Sequence, residues 1–287
     1  MSDLPNSAEG SGLGKATQYS STYDASLLYP IARKLGRDAL GLEEPLPFTG
    51  EDVWTGWELS WLNERGLPQV AVAEFVIPAT SANIIESKSF KLYLNSFNQT
   101  RFEHWQQVQE ILTRDLSAAA GAPVVVTLMK LTEAEHYFAR FQFESQGRVA
   151  ECLDELPVSI EQYTPNPELL KPDTARAALG ETAESLVSHL LKTNCPVTGQ
   201  PDWASIWIDY RGSAIDKHGL LAYLVSFREH QDFHEQCVER CFMDILQRCK
   251  PVALTVYARY TRRGGLDINP FRSTHLSVPT GLKLIRQ

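Results

Sequence analysis

Long hydrophobic runs are missing from this chain of 287 residues. The longest nearly uncharged apolar stretch, residues 118–129, is broken by Gly121 and Pro123 and is too short to cross a bilayer, so no membrane partner is expected. A basic excess is missing too. The 27 Lys and Arg are outnumbered by 35 Asp and Glu, giving a net charge of −8, which argues against a phosphate-backbone groove and suits a small-molecule partner rather than nucleic acid. The opening Met1-Ser-Asp-Leu-Pro-Asn lacks a basic start and an apolar segment, so a secretory signal is not expected. Cysteine is scarce and odd in number, with Cys152, Cys195, Cys237, Cys241 and Cys249 in no paired framework. Free thiols in a reducing cytoplasm are expected. No CxxC pair occurs, and His234, Cys237 and Cys241 find no fourth ligand near by, so no metal is expected. Neither a strand-linked GxGxxG nor a GxxxxGK[ST] run occurs, so any nucleotide is held outside Rossmann or P-loop geometry.

What is present is a core-forming composition, 43% hydrophobic, in a length that suits two domains. The chain also repeats itself. Tyr93-Leu-Asn-Ser-Phe97 aligns with Tyr223-Leu-Val-Ser-Phe227, and Ile85-Glu86 with Ile215-Asp216, at an offset of 130. His104, Val108, Leu112 and Leu116 fall on His234, Val238, Phe242 and Leu246 at the same offset. Gly66-Leu-Pro-Gln-Val-Ala71 echoes Gly199-Gln-Pro-Asp-Trp-Ala204, and Pro123-Val-Val-Val-Thr127 echoes Pro251-Val-Ala-Leu-Thr255. Four echoes in one order read as two copies of one module. Residues 1–21, small and polar, read as a mobile arm, 22–163 as the first module and 164–287 as the second. Three prolines within residues 163–173 mark the linker.

Each module reads as strand, turn, strand-like segment, helix, strand. Residues 69–77 and 204–210 are rich in β-branched and aromatic residues and predict strands. Residues 103–118 and 233–249 carry apolar stripes at helical spacing. Strands followed by helices without regular βαβ alternation favour an α+β class with mainly antiparallel sheet. Residues 131–162 read only as strand or insertion.

Most of the thiols are core residues on this reading, because Cys237, Cys241 and Cys249 lie on the apolar stripe of the last helix. Cys152 has no chemical context. Cys195 differs, lying off any stripe in a polar, turn-rich loop, and is a candidate nucleophile. Asp202 follows it by seven residues and reads either as a proton donor, with Trp203 raising its pKa, or as an ordinary turn residue after proline. His234-Glu235 opens the last helix away from its stripe, where the glutamate reads equally as a partner of the helix dipole. Glu86-Ser-Lys-Ser89 reads either as a site or as a solvated charge cluster at a turn. Arg259, Arg262 and Arg263 stand beside Gly264 and Gly265, a combination that suits a phosphate.

These segments, Glu86 to Arg101, Asn194-Cys195, Gln200-Pro-Asp202-Trp, Phe233-His-Glu-Gln236 and Tyr257 to Pro270, closely resemble the long, two-module form of the NADPH-dependent 7-cyano-7-deazaguanine reductases. The resemblance covers residues 22–287. It implies a tandem tunnelling fold (T-fold), antiparallel sheets backed by helices, and a homodimer. It also implies the reaction, in which two NADPH reduce the nitrile of 7-cyano-7-deazaguanine to an aminomethyl group in queuosine biosynthesis, without a metal. By resemblance, Cys195 forms a covalent thioimide, Asp202 protonates the nitrogen and His234 assists proton transfer. Ile85, Glu86, Ser87, His234 and Glu235 would hold the substrate. Ser87, Lys88, Arg263 and Gly264 would meet NADPH. A carboxylate suits the edge of a guanine-like ring because it can accept from two N–H donors. The alternatives are a pterin-forming T-fold cyclohydrolase, which needs a Cys/His metal site, and a non-catalytic purine-binding module.

Overall fold

The computed structural model describes residues 20–138, 144–145, 148–178, 180–276, 284 and 286–287. The mobile arm expected at residues 1–21 lies almost wholly outside the described residues. The chain forms two compact units, Met1–Leu42 with Glu51–Arg140 and Arg262–Ile268, and Glu43–Gly50 with Phe141–Thr261 and Asn269–Gln287.

The first unit is built from β1 (Pro30–Ala32), α1 (Arg33–Ala39), β2 (Thr49–Leu62, from Glu51), β3 (Pro68–Pro78), β4 (Asn83–Ile85), α2 (Ser87–Ser96), α3 (Trp105–Ala120), β5 (Val125–Met129) and α4 (Leu131–Phe138). The β2–β3 hairpin is antiparallel, from Glu51↔Pro78 to Leu62↔Pro68, and its register slips between Gly56 and Leu59. Strand β5 extends it on the β3 side. Helices α2 and α3 cover one face. Phe90, Tyr93, Leu94 and Phe97 of α2, and Val108, Leu112 and Leu116 of α3, share one core with Trp54, Trp61, Ala73 and Phe75 of the hairpin. Each such side chain taken from water contributes about 1.5–3 kcal/mol.

The second unit contains β6 (Glu144–Ser145), β7 (Arg148–Val149), β8 (Glu151–Cys152), α5 (Thr174–Ala177), β9 (Thr182–Asn194), β10 (Pro201–Gly212), α6 (Lys217–Ser226), α7 (His234–Cys249), β11 (Ala253–Tyr260) and β12 (Leu266–Ser273, from Asn269). Strands β9, β10, β11 and β12 are antiparallel neighbours, and β8 joins β9 in parallel. Alternation along these strands serves two faces. Ile206, Ile208, Val256 and Ala258 are buried out of phase with Trp207 and Tyr257, which pack with Val187, Phe271, Ala150, Leu276 and Leu284.

This is the α+β class, antiparallel sheet backed by helices, that the sequence predicts. The repeat is visible down to single hydrogen bonds. Tyr93 Oη donates to Asp115 and Ser96 Oγ to the Tyr93 carbonyl, just as Tyr223 Oη donates to Asp244 and Ser226 Oγ to the Tyr223 carbonyl. Helices α3 and α7 both end in a left-handed residue, Gly121 at φ 70° and Lys250 at φ 49°.

The predicted order of elements needs correction. Each copy is a hairpin, two helices and a strand; the predicted pattern omits α2 and α6. These helices are ten residues each; α6 is apolar on more than one side, and the stripe of α2, Phe90, Tyr93 and Leu94, spans little more than one turn. Residues 163–173 hold a 3₁₀ turn at Pro167–Leu169 and bury Leu170, so this stretch packs rather than merely links. Within residues 131–162 the structure resolves α4 and three two-residue strands.

Candidate active site

In the second unit the chemistry-bearing residues gather at one end of the β9–β10 hairpin. Cys195 follows the last residue of β9, its N–H donating to the Gln200 carbonyl while its own carbonyl accepts from Gly199 N. The turn is closed by Gly199 at φ 67°. Asn194 donates its N–H to the His230 carbonyl and accepts from Asp232 N, which ties the hairpin end to the segment feeding α7. The first helical residue there is His234. Its Nε2 lies 3.4 Å from Asp202 Oδ2, yet makes no hydrogen bond of acceptable geometry, so the pair is in reach and not locked. Beneath it, the Tyr260 ring packs at 4.0 Å between centroids and fixes the imidazole plane.

Three expectations change here. Asp202 is not a turn residue: it is the second residue of β10, pairs with Thr193 and is 4% exposed. Trp203 does not bury it, being itself 38% exposed with Arg228 over its ring. Alternation along the strand sends the two side chains to opposite faces. Glu235, read as pointing away from the core, is 3% exposed, and Cys195, though in a loop, is buried.

In the first unit Glu86 is neither a turn residue nor solvated. It caps α2, with Oε1 accepting from Lys88 N and Oε2 from Ser89 N, both at 2.7 Å. Burial raises its pKa, and the two backbone N–H groups, with Lys91 and Lys88, pull the other way without cancelling it. Ile85 puts its side chain in the core, so only its backbone can meet a ligand. Ser87 and Lys88 are half-buried on the first turn of α2.

Arg263 and Leu266 close a tight turn around Gly264 and Gly265, at φ 56° and 74°. The predicted arginine cluster shrinks there. Arg259 is buried in β11, with Nε on Gln287 and Nη1 on the Tyr257 hydroxyl, and Arg262 lies over the Trp57 ring. A cavity of about 210 Å³ opens beside the glycines, lined by Glu58, Lys91, Asn95 and Asn98 among others. Lys91 and Asn95 are missed by the sequence reading, although Lys91 stands one turn after Lys88 on the same helix. Among the described residues Cys237 and Cys241 are wholly buried, and burial drives both thiols far above their ordinary range, as core residues require.

Comparison with known proteins gives the family. A family model described as "Nitrile reductase, 7-cyano-7-deazaguanine-reductase N-term" matches residues 19–128, and one described as "QueF-like protein" matches residues 201–278. The chain is 54% identical, over 97% of its length and 99% of theirs, to proteins named NADPH-dependent 7-cyano-7-deazaguanine reductase from Burkholderia vietnamiensis, Burkholderia multivorans and Paraburkholderia xenovorans. This chain belongs to that family. The family carries an implied nicotinamide cofactor, and the glycine turn fits one. A Cβ on Gly264 would stand 3.2 Å from Lys91 Cδ, and one on Gly265 only 2.5 Å from Glu58 Cδ, so both positions are kept bare by the side chains packed on them, of which the Lys91 ammonium, beside Gly264, suits a phosphate.

Proposed function

We propose that this chain reduces the nitrile of 7-cyano-7-deazaguanine to the aminomethyl group of 7-aminomethyl-7-deazaguanine, with NADPH, as a step of queuosine biosynthesis. Its membership of the reductase family supports the reaction. The observation that carries the mechanism is the grouping of Cys195, Asp202 and His234 at one hairpin end.

The Cys195 thiolate adds to the electrophilic nitrile carbon, forming a C–S bond as one C–N π bond opens, while Asp202 delivers a proton to the nitrogen to leave a thioimide. After one hydride equivalent reaches that carbon the C–S bond breaks, returning the thiolate and leaving an imine for the second. NADPH, when bound, supplies the hydride equivalents. His234, within 3.4 Å of Asp202, passes protons to that carboxylate or to the developing amine. Glu235 and Glu86 accept from the N–H edge of the heterocycle, with the backbone of Ile85 and Ser87 completing its cradle. Ser87, Lys88, Arg263 and Gly264 hold the cofactor's phosphates, and Lys91 lines the same cavity as Gly264. The two modules, 22–163 and 164–287, divide these residues between them, so one complete site per chain is expected. The same reading takes the working form as a cytoplasmic homodimer that binds no nucleic acid directly.

Mass spectrometry of the protein mixed with the nitrile, without NADPH, tests the mechanism. The expected result is one covalent adduct on wild-type protein and none on Cys195→Ala. Asp202→Asn should slow turnover of the nitrile by about 10²–10⁴-fold while weakening binding far less. An adduct on Cys195→Ala, or full turnover in Asp202→Asn, overturns the assignment.

A further inference from the structure

Cys152 acquires a context that its neighbours in sequence do not show. Its thiol, a carboxylate oxygen of Asp154 and a ring nitrogen of His189 all lie within 4.8 Å of one another on the second unit. We propose that these three side chains form a surface site for a borderline first-row divalent ion, zinc foremost, separate from the catalytic residues.

The donor set is the first argument. One thiolate, one imidazole and one carboxylate suit zinc, whereas magnesium and calcium require oxygen alone. Two anionic donors balance the charge of the ion. Orientation is the second argument. Asp154 Oδ1 accepts from Ser188 Oγ at 2.7 Å, and its two oxygens take the His189 N–H at 3.2 and 3.0 Å, so carboxylate and imidazole are held on one frame. His189 Nδ1 lies 2.7 Å from the hydroxyl of buried Ser205, which leaves the other ring nitrogen to ligate. An outer hydrogen bond of this kind is what fixes the tautomer and direction of a metal-binding histidine. The His189 carbonyl is held in turn by Arg286 Nη1 at 2.9 Å.

Zinc–ligand bonds of about 2.0–2.3 Å place tetrahedral ligands roughly 3.5 Å apart. The three donors, within 4.8 Å of one another, would have to draw in by about an ångström, with water as fourth ligand. The ion would add to the link between β8, which pairs Glu151↔Leu186 and Cys152↔Val187, and the strand that runs on to Cys195.

Cobalt(II) and zinc titrations of the full chain test this. Wild-type protein should take one cobalt with a thiolate charge-transfer band and tetrahedral ligand-field bands, displaced by one zinc. The bands should persist in Cys195→Ala and vanish in Cys152→Ser, whose nitrile reduction without added metal should match wild type. Ser205→Ala should weaken binding by about 10–100-fold. Absence of the bands from wild-type protein, their survival in Cys152→Ser or their loss in Cys195→Ala would overturn the proposal.

Discussion

Both carboxylate oxygens of Glu86 accept backbone N–H groups at 2.7 Å, and the side chain is 1% exposed, so one residue serves a helix end and the proposed substrate edge. Burial raises its pKa above the ordinary 4.5. Only the ionised form offers acceptors alone. As pH falls, Glu86 therefore gains its proton sooner than an exposed glutamate does, and KM for the nitrile should climb at pH values still above 4.5. Stability runs the other way. The folded chain holds this proton more tightly than the unfolded one, so Glu86 adds stability as pH falls through its raised pKa and no more below 4.5. KM–pH profiles of wild type and Glu86→Gln check this, the variant being neutral throughout and its profile flatter; identical profiles would exclude Glu86 from the titration. At this scale residue types are legible and burial is not. Cys195 stands out because it lies off the apolar stripes. Nothing local to Pro201-Asp202-Trp203 announces a strand whose first side is buried, and Cys152 meets His189 only across a parallel strand pair.

Helices α2 and α6 begin alike, on Glu86 and Asp216, 130 residues apart, and this pairing supplies an internal control. Asp216 Oδ1 accepts from His218 N, as Glu86 does from Lys88 and Ser89, but Asp216 stands outside the proposed substrate set. Removing either cap costs about 0.5–2 kcal/mol. For a chain of this size the expected loss in thermal midpoint is about 2–4 °C per kcal/mol. Calorimetry should find that loss in both Glu86→Ala and Asp216→Ala, whereas nitrile binding should weaken in Glu86→Ala alone. Equal weakening in both would reduce Glu86 to a structural cap. Elements with strong period are the legible ones. Helix α7 buries Cys237, Val238, Cys241, Phe242 and Ile245 on one stripe, and β3 and β10 carry β-branched runs. Helix α6 escapes because its apolar residues pack on more than one side, burying Leu220, Leu221, Tyr223 and Leu224 in near succession, whereas α2 carries its stripe, Phe90, Tyr93 and Leu94, in too short a run.

For the whole molecule, duplication is what the sequence discloses best, because an offset of 130 survives in side chains that make the same bonds in both copies. The exchange of segments is what it hides. Glu43–Gly50 belongs with the second unit, where Phe48 meets the Phe242 ring at 5.2 Å, and Arg262–Ile268 belongs with the first, where Asp267 accepts from Trp57 Nε1 at 2.7 Å. No local pattern reports a partner some two hundred residues away. A cut between 163 and 164 therefore removes a packed segment from each unit. Either half expressed alone should show a lower thermal midpoint or no cooperative transition, and neither should consume NADPH with the nitrile. A separate half that turns over would contradict the division of site residues between the modules.

The same exchange bears on how the protein is made. A chain leaves the ribosome from its N-terminus, and a domain ordinarily closes once its last residue has emerged. The first unit here waits for Leu266, Asp267 and Ile268, which are made only after the intervening Phe141–Thr261 of the second unit. While that segment is being made, Phe75, Phe90 and Leu112 belong to a core whose final pieces, Leu266 and Ile268, do not yet exist. The nascent first unit therefore stays without part of its core while Phe141–Thr261, the larger part of the second unit, is made.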